Sequence, residues 1–480
     1  MRYEPVIGLE VHIELNTASK MFCACRADVF GAPPNTHVCP ICLGMPGTLP
    51  VINEQAVRFT VMTGLALHCH IQTHSVFARK NYFYPDLPKG YQISQYELPL
   101  CTDGWLDVET STGVHRIGIV RVHLEEDAGK LIHAGAHSLV DLNRAGVPLM
   151  EIVTRPDMRS AEEAYALVMQ LRQIVRYLGV SSGDMEKGAM RCEVNLSLRP
   201  QGSEELGIKV EIKNLNSFRS VRNAIAYEIE RQTRLLEAGG QVTQVTMGWD
   251  EAAGATRPQR SKEEAHDYRY FPEPDLPPLA LDAAWIERIR QELPELPDVK
   301  RARFIADYAL SPYDAAVLTE DRAVANYFED VVRNVRPPIT TKMVANWVSG
   351  ELFRVMRETG TPIQEVRIRP GDLARLIALV ADNTLNQTAA KQVFSAMWQT
   401  GRAPDVIVQE LDLGQISDRE QLATLVARVL AENADAVASF RAGKETALRF
   451  LIGQVMRASR GKANPQLVEQ LLRAQLGGEQ

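Results

Sequence analysis

No stretch of this chain approaches the roughly 20 consecutive apolar residues needed to cross a membrane. Residues 1–20 alternate apolar and charged side chains where a secretory signal would need a continuous apolar run. A soluble, cytoplasmic protein with no membrane partner is therefore expected. A basic surplus is missing too: 53 Lys and Arg face 60 Asp and Glu, giving a formal net charge of −7 and a pI of about 5.9. Polyanion binding through a global field is excluded, and any contact with nucleic acid must be local. Cysteine is scarce, with seven in 480 residues, all at or before Cys192. Four of them lie between positions 23 and 42, which is not the pattern of a secreted disulfide framework. Histidine stops at His266, so acid–base and metal chemistry belongs to the first part of the chain. There is no P-loop and no protein-kinase glycine loop. The sequence also has no Ser-rich amidase segment and no Cys–His nucleophile arrangement, so nucleophilic amide hydrolysis by this chain is not expected.

What is present in the first part is a series of short alternating segments, the signature of half-buried strands. Ile7, Leu9, Val11, Ile13 and Leu15 share one face, leaving Gly8, Glu10, His12 and Glu14 on the other. Ile119–Glu125 puts Val120, Val122 and Leu124 opposite Arg121, His123 and Glu125. Val194, Leu196 and Leu198 alternate with Glu193, Asn195, Ser197 and Arg199. Ile208, Val210 and Ile212 alternate with Lys209, Glu211 and Lys213. Four such strands predict a largely antiparallel sheet with one apolar and one charged face. Two amphipathic helices can cover the apolar face. Ser160 with Glu163 forms a capping box ahead of an apolar stripe that ends at Gly179, and Ser217 opens a second helix that ends at Gly239. The fold class is α+β.

Six prolines between Pro272 and Pro297 mark a change of regime. Beyond them the sequence turns to helical spacing rich in Ala, Leu, Arg and Glu. The expected organisation is a sheet-based cradle domain over residues 1–293, an all-α middle domain over 294–408 and a small α-helical tail over 409–480. From Arg301 onward 22 basic residues face 21 acidic ones, whereas residues 441–480 hold 7 basic and 3 acidic, a net of +4.

Glu10 and His12 on one strand, Glu125 on another and Glu211 on a third can converge on one cleft. Carboxylates with limited imidazole suit a hard divalent ion such as Mg2+. The same spacing also describes an ordinary solvated outer sheet face. The loop from Arg79 to Tyr91 packs three cations and three tyrosines into thirteen residues interrupted by two prolines. Lys80 and Lys89 offer charge for phosphate oxygens, and Tyr82 and Tyr84 offer rings for a base. Arg144, Glu151, Lys187, Arg191, Lys213 and the run Arg260-Ser261-Lys262-Glu263 add charge near strand ends. Cys23-Ala24-Cys25 followed by Cys39-Pro40-Ile41-Cys42 has the spacing of two knuckles of a structural zinc site, because four thiolates satisfy tetrahedral Zn2+.

Six segments, GLEVHIEL (8–15), RKNYFYPDLPKGYQISQY (79–96), HLEEDAGK (123–130), DLNRAGVPLMEIVTRPD (141–157), EIKNLNSFRSV (211–221) and SKEEAHDYRYFPEPDL (261–276), are similar to those of one family. It is GatB, one of the component chains of the aspartyl/glutamyl-tRNA amidotransferases. FLIGQVMRASRGKANPQLV (450–468) resembles that family's YqeY-like tail. The resemblance spans the chain. It departs at Val245-Thr246-Met247, where the family usually shows Glu-Thr-Arg, and at Glu193, where it shows Asp; residues 245–247 are left out of the expected site. The resemblance implies ATP-dependent phosphorylation of the side-chain carboxylate of Glu-tRNA(Gln) or Asp-tRNA(Asn), followed by amidation. It implies Glu10, His12 and Glu125 at Mg2+-binding positions, with Glu151 and Glu211 as further catalytic carboxylates. Lys80, Tyr82, Tyr84, Lys89, Lys187, Arg191 and Lys213 are the expected nucleotide contacts, and Arg457, Arg460 and Lys462 the expected tRNA contacts. The implied partners are the amidase GatA, the small linking protein GatC, misacylated tRNA and the non-discriminating synthetase. The competing reading is a non-catalytic, zinc-containing tRNA-binding scaffold.

Overall fold

A computed structural model describes residues 3–261, 267–414, 419–459 and 462–477, without the side chains of Arg260 and Ser261. The chain divides into two compact units, Met1–Pro297 and Asp298–Gln480.

The first unit is built on a nine-stranded sheet. Its strands are β1 (Tyr3–Glu14), β2 (His70–Ile71), β3 (Cys101–Thr110), β4 (Gly113–Glu126), β5 (Pro148–Thr154), β6 (Met190–Pro200), β7 (Val210–Leu215), β8 (Val245–Asp250) and β9 (Ala255–Ser261). Their order is β9-β8-β7-β6-β1-β5-β4-β3-β2. Neighbours run antiparallel except β7 and β8, which are parallel. A parallel pair needs a crossover, and the chain supplies helix α3 (Phe218–Glu237) for it.

Strand alternation decides which side chains go inward. Ile7, Leu9, Val11 and Ile13 of β1 are buried, with Leu15 just past its end, as are Val194 and Leu196 of β6. They meet α1 (Glu54–Ala66), α2 (Ala161–Leu178) and α3 in one core, to which Leu167, Leu171, Val221 and Ile225 contribute. Each fully buried aliphatic side chain contributes roughly 1.5–3 kcal/mol. Helix α2 starts where Ser160 accepts a hydrogen bond from the Glu163 amide at 3.1 Å, while the Glu163 carboxylate caps the Arg159 amide. It stops at Gly179, whose left-handed backbone (φ 72°) returns amide bonds to Arg176 and Val175 at no steric cost.

Two expected core positions are corrected. The β4–β5 register slips between Val153 and Thr154, which pair with Arg121 and Ile119, so Val120 is an extra residue in a bulge. The bulge reverses the alternation: Ile117 and Ile119 are buried before it, Val122 and Leu124 after it, and Val120 is exposed. Ile208 precedes β7 and is exposed as well, whereas Val210 and Ile212 are buried.

The second unit is helical among its described residues and holds two apolar cores. One gathers Phe304, Phe328, Leu373, Phe394 and Ile407; the other gathers Leu422, Val426, Leu451 and Leu472. Among the described residues no helix is long and apolar enough to cross a membrane. Glu329 ties the first of these cores together electrostatically. It accepts from Lys300 at 2.9 Å, Arg303 at 2.8 Å and Tyr308 at 3.1 Å. Burial alone would raise its carboxyl, but the hydrogen bonds from Arg303 and Lys300 outweigh burial and hold it at about 2. A depressed folded value means stability that is present above the unfolded pKa near 4.3 and is lost as pH falls toward 2. Glu329→Gln is therefore expected to destabilise the helical unit by about 3 kcal/mol at pH 7. The gap from the parent should narrow as pH drops below about 4. Denaturant unfolding followed at both pH values checks this, and equal stabilities at pH 7 would rule it out.

Candidate functional site

The charged face of the sheet is assembled by strand register. Residues directly opposite on neighbouring strands share a face. His12 of β1 stands opposite Glu151 of β5, and Glu151 opposite His123 of β4. On the other side His12 stands opposite Arg191 and Glu10 opposite Glu193, both on β6. Further out, Asn195 faces Glu211 of β7, and Glu211 faces Thr246 of β8.

The densest part is a buried acid–imidazole cluster. His12 Nε2 lies 3.6 Å from Glu125 and 3.7 Å from Glu151, and His123 Nε2 lies 3.3 Å from Glu151. One ligand atom from each of His12, Glu125 and Glu151 falls within 4.8 Å of the others. Glu10 is outside this trio; its carboxylate accepts from Asn195 at 2.9 Å. Burial, reinforced by Glu151, pushes the Glu125 carboxyl up to about 8, with Lys80 opposing. Burial would raise Glu151 also, but His123, His12 and Lys80 hold it below the usual carboxylate range. Burial pushes His12 down, which keeps its imidazole neutral and able to act as a ligand. One carboxylate, a second carboxyl that would give up its proton to a bound cation, and one neutral imidazole meeting at a point fit a hard divalent cation such as Mg2+.

Cations and rings border the cluster. The strand Ala78–Asn81 pairs with Tyr91–Ser94, and Phe271–Pro272 pairs back onto Ala78 and Arg79. The Lys80 ammonium sits 5.1 Å from the Tyr268 ring and 6.0 Å from the Tyr82 ring. Burial would lower its pKa, but Glu125, Tyr270 and Glu151 raise it above the ordinary value, so Lys80 stays charged. Tyr82 is pushed up to about 12 by burial, and Tyr84 is exposed. Gly129 lets this loop approach: its amide donates to Asp86 at 2.9 Å, where a Cβ would lie 3.1 Å from the same oxygen and 2.9 Å from the Asp141 carbonyl. Lys89 bonds Glu126, Arg191 bonds Asp127 at 2.7 Å, and Lys213 bonds Glu193 at 2.8 Å and Glu211 at 3.3 Å. Lys187 is elsewhere, at 3.7 Å from Asp184 and 5.5 Å from the Phe30 ring. Lys262 and Glu263 lie outside the described residues, as do the side chains of Arg260 and Ser261.

Several residues on this face escaped the sequence reading. Thr246 was set aside with its uncharged neighbours, yet its hydroxyl donates to Glu211 at 2.7 Å. Alternation against Glu211 was the available signal. Asp127 follows β4 and turns back to receive Arg191, a position no strand period indicates. Burial, reinforced by the nearby Asp127 charge, raises Glu14 to about 8. His123 lies on the polar face by alternation, but only the register reveals its contact with Glu151.

The four cysteines form a second centre. The sulfurs of Cys23, Cys25, Cys39 and Cys42 lie within 4.8 Å of one another, and those of Cys39 and Cys42 are 3.9 Å apart. A tetrahedral ion with sulfur at about 2.3 Å requires sulfur–sulfur edges of roughly 3.8 Å, so the group fits Zn2+. The Cys39 amide donates to Cys42 Sγ at 3.1 Å, and buried Lys20 lies close enough to help lower the Cys42 thiol. Hydrogen bonding from Cys23 is the larger cause, and together they bring Cys42 to about 4. Cys69, Cys101 and Cys192 are buried and separate from this group. In the tail, Arg457 closes the helix Glu445–Ala458, Lys462 is ion-paired with Asp412, and Arg460 lies outside the described residues.

These features define a protein of two units, a sheet-based unit with a buried acid–imidazole cluster on its charged face and a helical unit that follows it in the chain. Residues 5–287 match the family described as GatB/GatE catalytic domain, and residues 326–476 the one described as GatB domain. The chain is 54% identical over 481 residues to the B subunit of the aspartyl/glutamyl-tRNA(Asn/Gln) amidotransferase of Caldicellulosiruptor saccharolyticus, covering 99% of each. It is 53% identical to the protein of the same name from Roseiflexus castenholzii, covering 100% of each, and 53% identical to that of Thermodesulfovibrio yellowstonii, covering 98% of this chain and 99% of the relative. The chain belongs to the GatB family.

The four-sulfur geometry carries a direct expectation. Protein purified without added metal should hold about one Zn per chain by elemental analysis, and Cys39→Ser with Cys42→Ser should abolish it and lower the melting temperature. Unchanged stability of a metal-free quadruple Cys→Ser variant would show that the group has no structural role.

Proposed function

We propose that this chain activates the side-chain carboxylate of Glu-tRNA(Gln) or Asp-tRNA(Asn) by phosphorylation from ATP, for amidation by ammonia from a partner protein. The observation that carries the reading is the buried meeting of His12, Glu125 and Glu151 beside charged Lys80. A free carboxylate is a poor acyl donor because oxide does not leave; phosphate does. His12, Glu125 and Glu151 are the residues that would hold Mg2+, with Glu10 and Glu211 further along the face. When bound, Mg2+ neutralises phosphate charge as the phosphoryl group moves.

The chain's own residues supply positioning and charge. Lys80 stays protonated at the cluster and can meet an anionic phosphoryl oxygen, while Arg191 and Lys213 are ion-paired along the face and hold Asp127, Glu193 and Glu211 in place. Tyr82 and Tyr268 flank Lys80 and limit water around it. Ammonia must reach the acyl phosphate before water does, which calls for an amidase and a small linking protein, here GatA and GatC. The residue domains proposed are the cradle over 1–293, the helical domain over 294–408 and the tail over 409–480. The tail's Arg457 and Lys462 are proposed to touch the tRNA backbone. The protein is proposed to work in the cytoplasm, where aminoacyl-tRNA is used.

A docking scaffold accounts for the face less well. Removing two carboxylates from water costs several kcal/mol each unless a cation or donors compensate, and a surface used only for docking has no need of that burial. Glu125→Gln keeps the size and removes the charge. In the assembled complex it should lower amide formation with ammonium as donor by at least about 100-fold, while glutamine hydrolysis by the partner persists. Amide formation at the parent rate would refute the assignment.

A further inference from the structure

One cation on the charged face is not used by the arrangement above. Arg121 lies on β4, two residues before His123 and four before Glu125. Its guanidinium makes no hydrogen bond or ion pair among the described residues, and its Nε is buried without a partner. Its ring contact is Tyr96, whose centroid lies 5.9 Å from Cζ. Tyr96 in turn stacks on Tyr270, with centroids 4.2 Å apart and planes 8° from parallel. The aromatic line continues inward: Tyr270 meets Tyr268 edge to face at 6.2 Å, and Tyr268 meets Tyr82 at 6.0 Å beside Lys80.

This line is open on its outer side. Tyr96 is 48% exposed and Phe271 44%, and Phe83 and Tyr84 of the adjoining loop are 89% and 52% exposed. Exposed rings next to an unmatched guanidinium suit a ligand that brings both a π-face and an anionic phosphate. Arg holds a phosphate with two parallel hydrogen bonds, and a ring stacks on any base.

We infer that Arg121 and the Tyr96–Tyr270 stack seat the unpaired terminal nucleotide of the tRNA, the guanidinium on its phosphate and the Tyr96 ring on its base. The inference rests on the proposed activation of a tRNA-borne carboxylate and places that carboxylate. Arg121, His123 and Glu125 follow one another on one face of one strand, so His123 lies roughly 7 Å and Glu125 roughly 13 Å from the seat along it. A nucleotide held at Arg121 carries the amino acid esterified to its ribose toward His123 and Glu125. The adenine of a small nucleotide would call for a concave pocket that buries most of it, whereas these rings stay open until a macromolecule covers them.

The test uses the complex with its partner proteins. Tyr96→Leu and Arg121→Gln should each raise the KM for misacylated tRNA about tenfold, with the KM for ATP within about twofold of the parent; Tyr96→Phe, which keeps the ring, should match the parent. Uncharged tRNA carrying 2-aminopurine as its last base should lose fluorescence on binding the parent complex and keep it with Tyr96→Leu. Because that tRNA has no amino acid, failure here is distinguishable from failure of carboxylate activation, which Glu125→Gln reads. A tRNA KM within about twofold of the parent in both variants, or equal quenching in Tyr96→Leu, would overturn the inference. A rise confined to the KM for ATP would overturn it too, by placing the small nucleotide's base on Tyr96.

Discussion

Two carboxylates, Glu125 and Glu151, are buried within 4 Å of the same imidazole, His12, and much of the first unit follows from what that requires. Buried carboxylates need nearby donors or cations. His123 approaches Glu151 from one side, and Lys80 reaches the pair electrostatically from the Ala78–Asn81 strand. That strand is held by pairing with Tyr91–Ser94 and Phe271–Pro272. The central position of β1, between β5 and β6, is what sets His12 opposite Glu151 on one side and Arg191 on the other. A one-residue slip of β1 would send its apolar residues to the charged face and His12 into the core, so core packing and site geometry enforce the same register.

Much of this face was legible in the sequence because a strand's period is short and local. The alternation of Glu10 and His12 against Leu9 and Val11, and of Glu193 against Val194, needs no knowledge of which strands are neighbours. What was not legible is pairing. Glu151 joins His12 and Glu125 through the β1–β5 register, a contact between residues 139 apart in sequence, and Glu10 is drawn instead toward Asn195. The bulge at Val120 is a further example: alternation from Leu124 backward assigns Val120 inward, and only the slip against β5 turns it out. Thr246 shows the opposite failing, where an unusual neighbourhood hid an ordinary partner of Glu211. The cysteine group was readable from spacing, since two short Cys pairs carry much of their own geometry.

The two centres of the first unit are joined through Lys89. Glu126, next to the cluster residue Glu125, accepts from Lys89, and the Lys89 stem packs against the backbone at Gly44, two residues past Cys42. Lys89 thus links the cysteine segment to the end of β4. An ion held by the cysteines would stiffen the segment against which Lys89 packs. That is a physical reason for a structural metal close to a site whose own ligands must be held still.

The central claim is that the charged sheet face transfers a phosphoryl group to a carboxylate. Following 18O from the side-chain carboxylate of labelled misacylated tRNA into phosphate tests it most directly, in the parent complex and in Glu151→Gln. The account expects one labelled oxygen in each phosphate formed during amidation by the parent, and loss of that transfer in the variant. Phosphate free of label, or transfer at the parent rate without the Glu151 charge, would contradict it.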